Sequence, residues 1–198
     1  MNHHHNHHGE AGFKRKVAYL DRPERSEVLS PEEFLQRIPI EKTASILDLG
    51  AGTGFLTIPA AKKVENTVFA LDLDTKMLEL IEAKAKKAEL TNVKTLEASM
   101  DDIPLEARTV DVVLASLVLH EAGSLLDVLR EVSRVVKPGG YFATIEFDTQ
   151  GTDLKGPPME IQISAEKLKE ELAEVGFEVV QNWELDEGMY VSIAEKKE

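Results

Sequence analysis

The ten residues Ile46-Leu47-Asp48-Leu49-Gly50-Ala51-Gly52-Thr53-Gly54-Phe55 constrain the fold of this chain more than any other stretch. An apolar run of strand length ends in an acid and then carries glycine at every second position. A strand that meets a helix through such a turn lets a ligand lie against bare backbone. Gly50 permits a tight turn out of the strand, Gly52 removes a side chain where a ligand would lie, and Gly54 lets the next helix pack close to the sheet. The segment predicts a strand-to-helix turn with a nucleotide-type binding crevice.

From Ala44 onward, strand and helix patterns alternate. Strands are expected near 45–49, 67–72, 93–97, 110–116, 141–147, 177–184 and 189–195, and helices near 54–64, 75–88, 124–136 and 164–175. Such alternation implies an α/β fold with a mostly parallel sheet covered on both faces. Only Asp186-Glu187-Gly188 joins the last two strands, a hairpin-sized link, so these should pair antiparallel. Arg134-Val135-Val136-Lys137-Pro138-Gly139-Gly140-Tyr141 should close a helix and start the fifth strand, with Pro-Gly-Gly as the turn.

The glycine spacing bears on which ligand the crevice takes. A dinucleotide fingerprint would need glycine at position 55, which is Phe55, and no Gly-Lys-Ser/Thr follows to make a P-loop. Asp48-x-Gly50-x-Gly52-x-Gly54 instead resembles the first motif of class I S-adenosylmethionine-dependent methyltransferases. The resemblance covers about Ser45 to Glu195 and is strongest in this motif, in the second acidic strand end and in Lys137-Pro138-Gly139-Gly140. It implies a Rossmann-like seven-stranded sheet with an antiparallel C-terminal hairpin, S-adenosyl-L-methionine as cofactor, and a small-molecule methyl acceptor. It also places Asp48 near the methionine ammonium of the cofactor, directly or through water.

Val68-Phe69-Ala70-Leu71 ends in Asp72-Leu73-Asp74 before a helical stretch. An acid closing the second strand, about 20 residues beyond the glycines, stands where ribose hydroxyls are held in such crevices. The resemblance gives that role to Asp72, whereas Asp74 is placed to cap the helix beginning at Thr75. Ala98-Ser99-Met100-Asp101-Asp102-Ile103-Pro104-Leu105 resembles the family's adenine-binding segment. The usual acid there falls on Ser99, a departure. Ser99, Asp101 or the backbone of Met100 is left to meet the adenine, and a solvated loop is the plainer reading of Asp101-Asp102.

His120 follows the fourth strand, Asp111-Val112-Val113-Leu114-Ala115-Ser116, at the end where open α/β sheets bind ligands. It is the catalytic candidate: a base, a hydrogen-bonding group for substrate, or a structural histidine. Asp111 is expected to support the loop architecture. Glu146 and Asp148 share one face at a strand end, either orienting substrate or forming a charged edge. Residues 153–159, stiffened by Pro157 and Pro158, fall where the family builds its substrate pocket. The chain looks most like the small single-domain group similar to quinone-biosynthesis and arsenite methyltransferases. The arsenite branch uses cysteines to hold arsenic, and this chain has none.

Composition narrows the function classes further. The 198 residues, 42% of them hydrophobic, suit one domain with a sizeable core. No apolar run reaches membrane length and no signal-peptide core is visible, so a cytoplasmic protein is expected. The absence of cysteine removes disulfides, thiolate metal sites and cysteine nucleophiles, and no metal site is expected. A net charge of −13 disfavours nucleic acid as partner.

Residues 1–12 include Met1-Asn2-His3-His4-His5-Asn6-His7-His8, a tag-like run that we set aside from the fold as a flexible tail. Residues 13–198 are expected to form one domain, opening with a helical cap over 13–40 broken at Pro23. Ser30-Pro31-Glu32-Glu33 reads as a helix start, and that helix should stop before Pro39. The cap either overlies the crevice mouth or packs against the sheet edge. Two rivals from other classes remain at this point: a silent cofactor-binding module and a nicotinamide oxidoreductase.

Overall fold

The computed structural model describes residues 6–149, 157–185 and 188–197, without the side chains of residues 6–9 and 24–26. Seven strands form one sheet: β1 (Ile46–Leu49), β2 (Val68–Asp72), β3 (Val93–Glu97), β4 (Val110–Ser116), β5 (Val136–Phe147), β6 (Phe177–Leu185) and β7 (Met189–Lys196). Their order is β3-β2-β1-β4-β5-β7-β6. Pairing is parallel from β3 through β5 and antiparallel for β5 with β7 and β6 with β7. The short link between the last two strands dictates this reversal, because a parallel return needs a crossover of a dozen or more residues.

Burial explains the strand sequences. All four residues of β1 are buried, as expected for a central strand covered on both faces. Side-chain alternation sends Leu47 and Leu49 to one core and Ile46 to the other. The first core is closed by α6 (Leu125–Val135) and α7 (Ala165–Glu174), through Val128, Leu129, Val132, Leu168 and Leu172. The second is closed by α3 (Pro31–Arg37) and α4 (Thr57–Lys63), through Phe34, Leu35, Ala60 and Ala61. A third, smaller cluster joins α5 (Thr75–Lys87) to β2 through Leu78, Ile81 and Ala70.

The cap of α3 forms as its sequence requires: Glu33 N donates to Ser30 Oγ at 3.1 Å and Ser30 N donates to Glu33 Oε2 at 3.3 Å. The chain leaves α3 in extended form at Ile38, immediately before Pro39.

Three boundaries differ from the sequence reading. α1 spans Asn6–Leu20 and therefore begins inside the 1–12 segment set aside as a flexible tail. Good helix formers follow from Glu10 onward, and Glu10 pairs with Lys14 at i,i+4. His3, His4 and His5 lie outside the described residues. α4 starts at Thr57 rather than near 54, because residues 52–56 are used in the turn, where Gly54 N donates to Ala51 O at 2.9 Å. β5 starts at Val136 rather than 141: Val136 pairs with Val110, the Pro-Gly-Gly segment bulges out, and pairing resumes at Tyr141 opposite Val112. The bulge is tight, since a Cβ on Gly140 would lie 2.6 Å from Asp111 O.

A second short helix, α2 (Pro23–Val28), links α1 to α3, with Pro23 in its first turn. Among the described residues, no helix is long and apolar enough to cross a membrane.

Candidate active site

The strand order reverses between β1 and β4, and open α/β sheets bind ligands at the carboxyl ends of the strands flanking such a switch. A cavity of about 270 Å³ opens there. Its charged lining includes Asp48, Asp72, Asp74, Glu121 and Lys16, and its apolar wall includes Leu56, Leu71, Ala98, Met100 and Val118. Four carboxylates against one ammonium favour a cationic ligand over a polyphosphate.

Each acid is placed by backbone geometry. Asp48 is 2% exposed, on the α4 side of β1, and Thr57 Oγ1 donates to its Oδ2 at 2.5 Å. Asp72 ends β2; its Oδ2 accepts from Gly52 N at 2.8 Å and its Oδ1 from Asp74 N at 2.9 Å. The second acidic strand end thus ties the glycine turn to the loop entering α5. Asp74 caps α5, accepting from Lys76 N at 3.1 Å, and it also lines the crevice.

The glycines divide their work. Gly50 has φ +66, and a Cβ there would lie 2.3 Å from Val118 Cγ2, so the loop after β4 presses directly on the turn. Gly50 and Gly52 line the cavity; Gly54 does not, and instead faces Ile81 of α5 and Ile58 of α4. Gly54 is therefore a packing position, as its proposed closeness of helix to sheet requires.

In the adenine-like segment, Ala98 and Met100 face the cavity, while Ser99 and Asp101 lie outside its lining and Asp101 is exposed. β3 ends at Glu97 and the chain turns at Met100-Asp101, so the acid two residues from Ser99 is exposed and does not line the cavity. The rest of that segment is held by α6: Arg134 donates to Ile103 O at 2.7 Å and Leu105 O at 2.6 Å, and Glu131 Oε2 accepts from Ile103 N at 2.9 Å. The Arg134 guanidinium, opposed by partial burial and helped by Ile103 N, holds the Glu131 carboxyl below its usual range.

His120 lies on a 3-10 turn, Leu119–Glu121, and is not part of the cavity lining, although its neighbours Val118 and Glu121 are. Its Nδ1 is 2.9 Å from Glu146 Oε2. Glu146 is fully buried, and its Oε1 accepts from Val118 N and Leu119 N, both at 2.7 Å. Glu146, which the sequence left open between orienting substrate and forming a charged edge, therefore clamps the loop that forms one wall of the crevice. Burial pulls the His120 imidazole down, but the hydrogen bond and charge of Glu146, with Glu121 adding to them, outweigh it and hold its pKa above the ordinary value.

Asp111 is structural as expected, accepting from Ser45 N and from Lys137 Nζ at 2.8 Å each. Of the 153–159 loop, residues 153–156 lie outside the described residues. Among the described residues, no group of three His, Asp or Glu stands together to hold a metal ion.

Sequence reasoning missed Lys16 and Leu20, one helical turn apart on α1, which line the cavity. At the end of this helix Asp21 accepts from Thr53 Oγ1 at 2.5 Å and from Lys84 Nζ at 2.9 Å, while Lys84 also donates to Thr53 O at 2.8 Å. α1 thus stands at the crevice, while α3 of the same N-terminal region packs on the sheet. The i,i+4 spacing of Lys16 and Leu20 was visible, but nothing local tied that face to the glycine turn.

The sheet order, its reversed end and the acidic crevice define a Rossmann-like α/β protein built to bind a nucleoside-type cofactor. Residues 47–144 match the methyltransferase domain family. A SAM-dependent methyltransferase from Aquifex aeolicus superposes with a TM-score of 0.83 and 30% identity, over 94% of this chain and 97% of that one. A demethylmenaquinone methyltransferase of Geobacillus sp. is 34% identical over 117 residues, 58% of this chain and 50% of that protein. A malonyl-[acyl-carrier protein] O-methyltransferase of Marinomonas sp. is 36% identical over 117 residues, 58% of this chain and 43% of that protein. The chain spans about half the length of these two relatives. It belongs to the class I S-adenosylmethionine-dependent methyltransferases, whose cofactor is S-adenosyl-L-methionine.

Proposed function

We propose that this protein transfers the methyl group of S-adenosyl-L-methionine to a small-molecule acceptor. The carrying observation is the crevice itself, whose charged lining among the described residues is Asp48, Asp72, Asp74 and Glu121 with Lys16, an acceptor-rich set suited to a cofactor bearing a sulfonium and an ammonium and no phosphate. Asp72 retains acceptor capacity for ribose hydroxyls beyond its two backbone bonds, because each carboxylate oxygen has two lone pairs. Asp48 is assigned to the methionine ammonium, Gly50 and Gly52 to close backbone approach, and Ala98 and Met100 to the adenine side. Ser99 and Asp101 are not assigned to the cofactor, since neither lines the cavity.

The bound cofactor supplies an already activated methyl group. The chain's task is therefore alignment and exclusion of water rather than strong acid or base chemistry. His120 is assigned a positioning role: with Glu146 it holds Val118 and Leu119, and through them one wall of the crevice. The names of the relatives, one acting on demethylmenaquinone and one on malonyl-[acyl-carrier protein], support methyl transfer without choosing the acceptor.

Calorimetric titration with S-adenosylmethionine and S-adenosylhomocysteine tests the reading, with NAD and ATP as controls. Binding of the two sulfur ligands alone, followed by release of S-adenosylhomocysteine on incubation with a metabolite pool, is the expected result. Binding without any turnover would assign the chain to the silent cofactor-binding class. Binding of NAD in place of the sulfur ligands would sink the proposal.

A further inference from the structure

Three recesses of the molecule adjoin one another through shared wall residues. The cofactor crevice and a small cavity beside it share Phe55, Ser116 and Leu117. That cavity shares Val28, Leu29 and Leu185 with an open surface groove, whose far side carries Glu33, Arg37 and Trp183. Ile145 and Met189 complete the wall of the middle compartment, so among the described residues Ser116 is its single polar residue and none that lines it is titratable. The crevice, by contrast, is rimmed with carboxylates.

Leu117 stands at the junction with φ +56, held there as its N donates to Ile145 O at 2.8 Å. A bulky residue rarely adopts this backbone conformation, and such strain concentrates where ligands are positioned.

We propose that this passage receives the methyl acceptor, and that the acceptor is an uncharged, predominantly apolar molecule. Its reacting end lies beside Ser116 and Leu117, and its remainder follows Val28, Leu29 and Leu185 toward the groove. The proposal rests on the crevice being the S-adenosylmethionine site. A charged acceptor would have to shed its water against a wall whose described residues carry one polar side chain among seven apolar ones, whereas an apolar one exchanges water for apolar contact. The middle compartment measures only about 20 Å³ in this conformation, so the acceptor enters by displacing the half-buried side chains of Phe55 and Leu185.

The test uses protein saturated with S-adenosylhomocysteine and titrated with N-phenyl-1-naphthylamine, an uncharged apolar fluorophore. Saturable binding is expected, weakened about tenfold or more in Leu185→Glu and in Val28→Glu, because each variant puts a carboxylate into the passage. Affinity for S-adenosylhomocysteine should stay within about twofold in both, since neither residue lines the crevice. Leu185→Gln, which adds no charge, provides the comparison if a glutamate variant fails to fold, and should still weaken the probe several-fold. The proposal is overturned if the fluorophore does not bind the loaded protein, or binds wild type and variants alike. Failure of S-adenosylhomocysteine itself to bind would instead overturn the reading of the crevice, and this proposal with it.

Discussion

Gly52 N donates to Asp72 Oδ2 at 2.8 Å, so the acid at the end of β2 holds the glycine turn that follows β1. The same carboxylate accepts from Asp74 N through Oδ1. The residue assigned to the cofactor ribose is thus also part of the frame that shapes the crevice.

Asp72→Ala should therefore act twice. Loss of an ionised acceptor for ribose should weaken S-adenosylhomocysteine about 10- to 100-fold, from hydrogen bonds worth about 1.5–3 kcal/mol. Loss of its bonds to Gly52 N and Asp74 N should also lower unfolding stability by about 1–3 kcal/mol. Calorimetry and chemical denaturation measure the two effects separately; an unchanged affinity would remove Asp72 from the ribose site.

Asp74→Ala should cost about 1 kcal/mol through the lost cap of α5. Because Asp74 also lines the cavity, a small loss of affinity should accompany it, well below that of Asp72→Ala. Asp74→Asn should restore the stability, since asparagine caps equally well. A larger affinity loss for Asp74→Ala than for Asp72→Ala would reverse the division between these acids.

Gly50 and Gly139 both have positive φ but differ in surroundings. Nothing lies within 4 Å of a Cβ at Gly139, so Gly139→Ala should cost only the backbone strain, about 1–2 kcal/mol. Gly50→Ala must in addition displace Val118, whose amide is held by Glu146. It should be the more destabilising of the two in thermal unfolding and should weaken S-adenosylhomocysteine, because Val118 lines the crevice. Equal melting temperatures for the two variants would show that the loop yields freely.

The His120 and Glu146 pair should leave a signature in the pH dependence of stability. The His120 pKa is raised above its ordinary 6.5 in the folded protein. A group whose pKa rises on folding contributes stability that is complete below its unfolded pKa and disappears as pH climbs through the folded value. Denaturation series from pH 6 to 9 should accordingly show wild type losing stability above about 6.5 relative to His120→Gln. If His120 only positions the wall, His120→Asn should retain much of the turnover with an unchanged pH profile. A loss of about 10²–10⁴ that recovers at high pH would instead make it a base.

Local patterns were enough for the elements whose causes are local. The apolar run of β1, the Ser30 capping box and the Asp74 cap all follow from residues within a few positions of one another, and so does the antiparallel return of β7. The acids at the ends of β1 and β2 were legible for the same reason, because a strand end beside a glycine turn fixes where its last side chain stands. The sequence by itself therefore determined the order of elements, the reversed end of the sheet and the place of the crevice. Only the tertiary structure decided what each side chain meets there. The turn beyond β3 brings Met100 to the cavity and leaves Ser99 and Asp101 out of its lining; α1 folds back so that Lys16 and Leu20 reach the cavity; and Glu146 takes His120 and two loop amides as partners. These contacts join residues distant along the chain, such as Asp21 with Thr53 and His120 with Glu146, and depend on how layers pack over the sheet, which no local periodicity encodes.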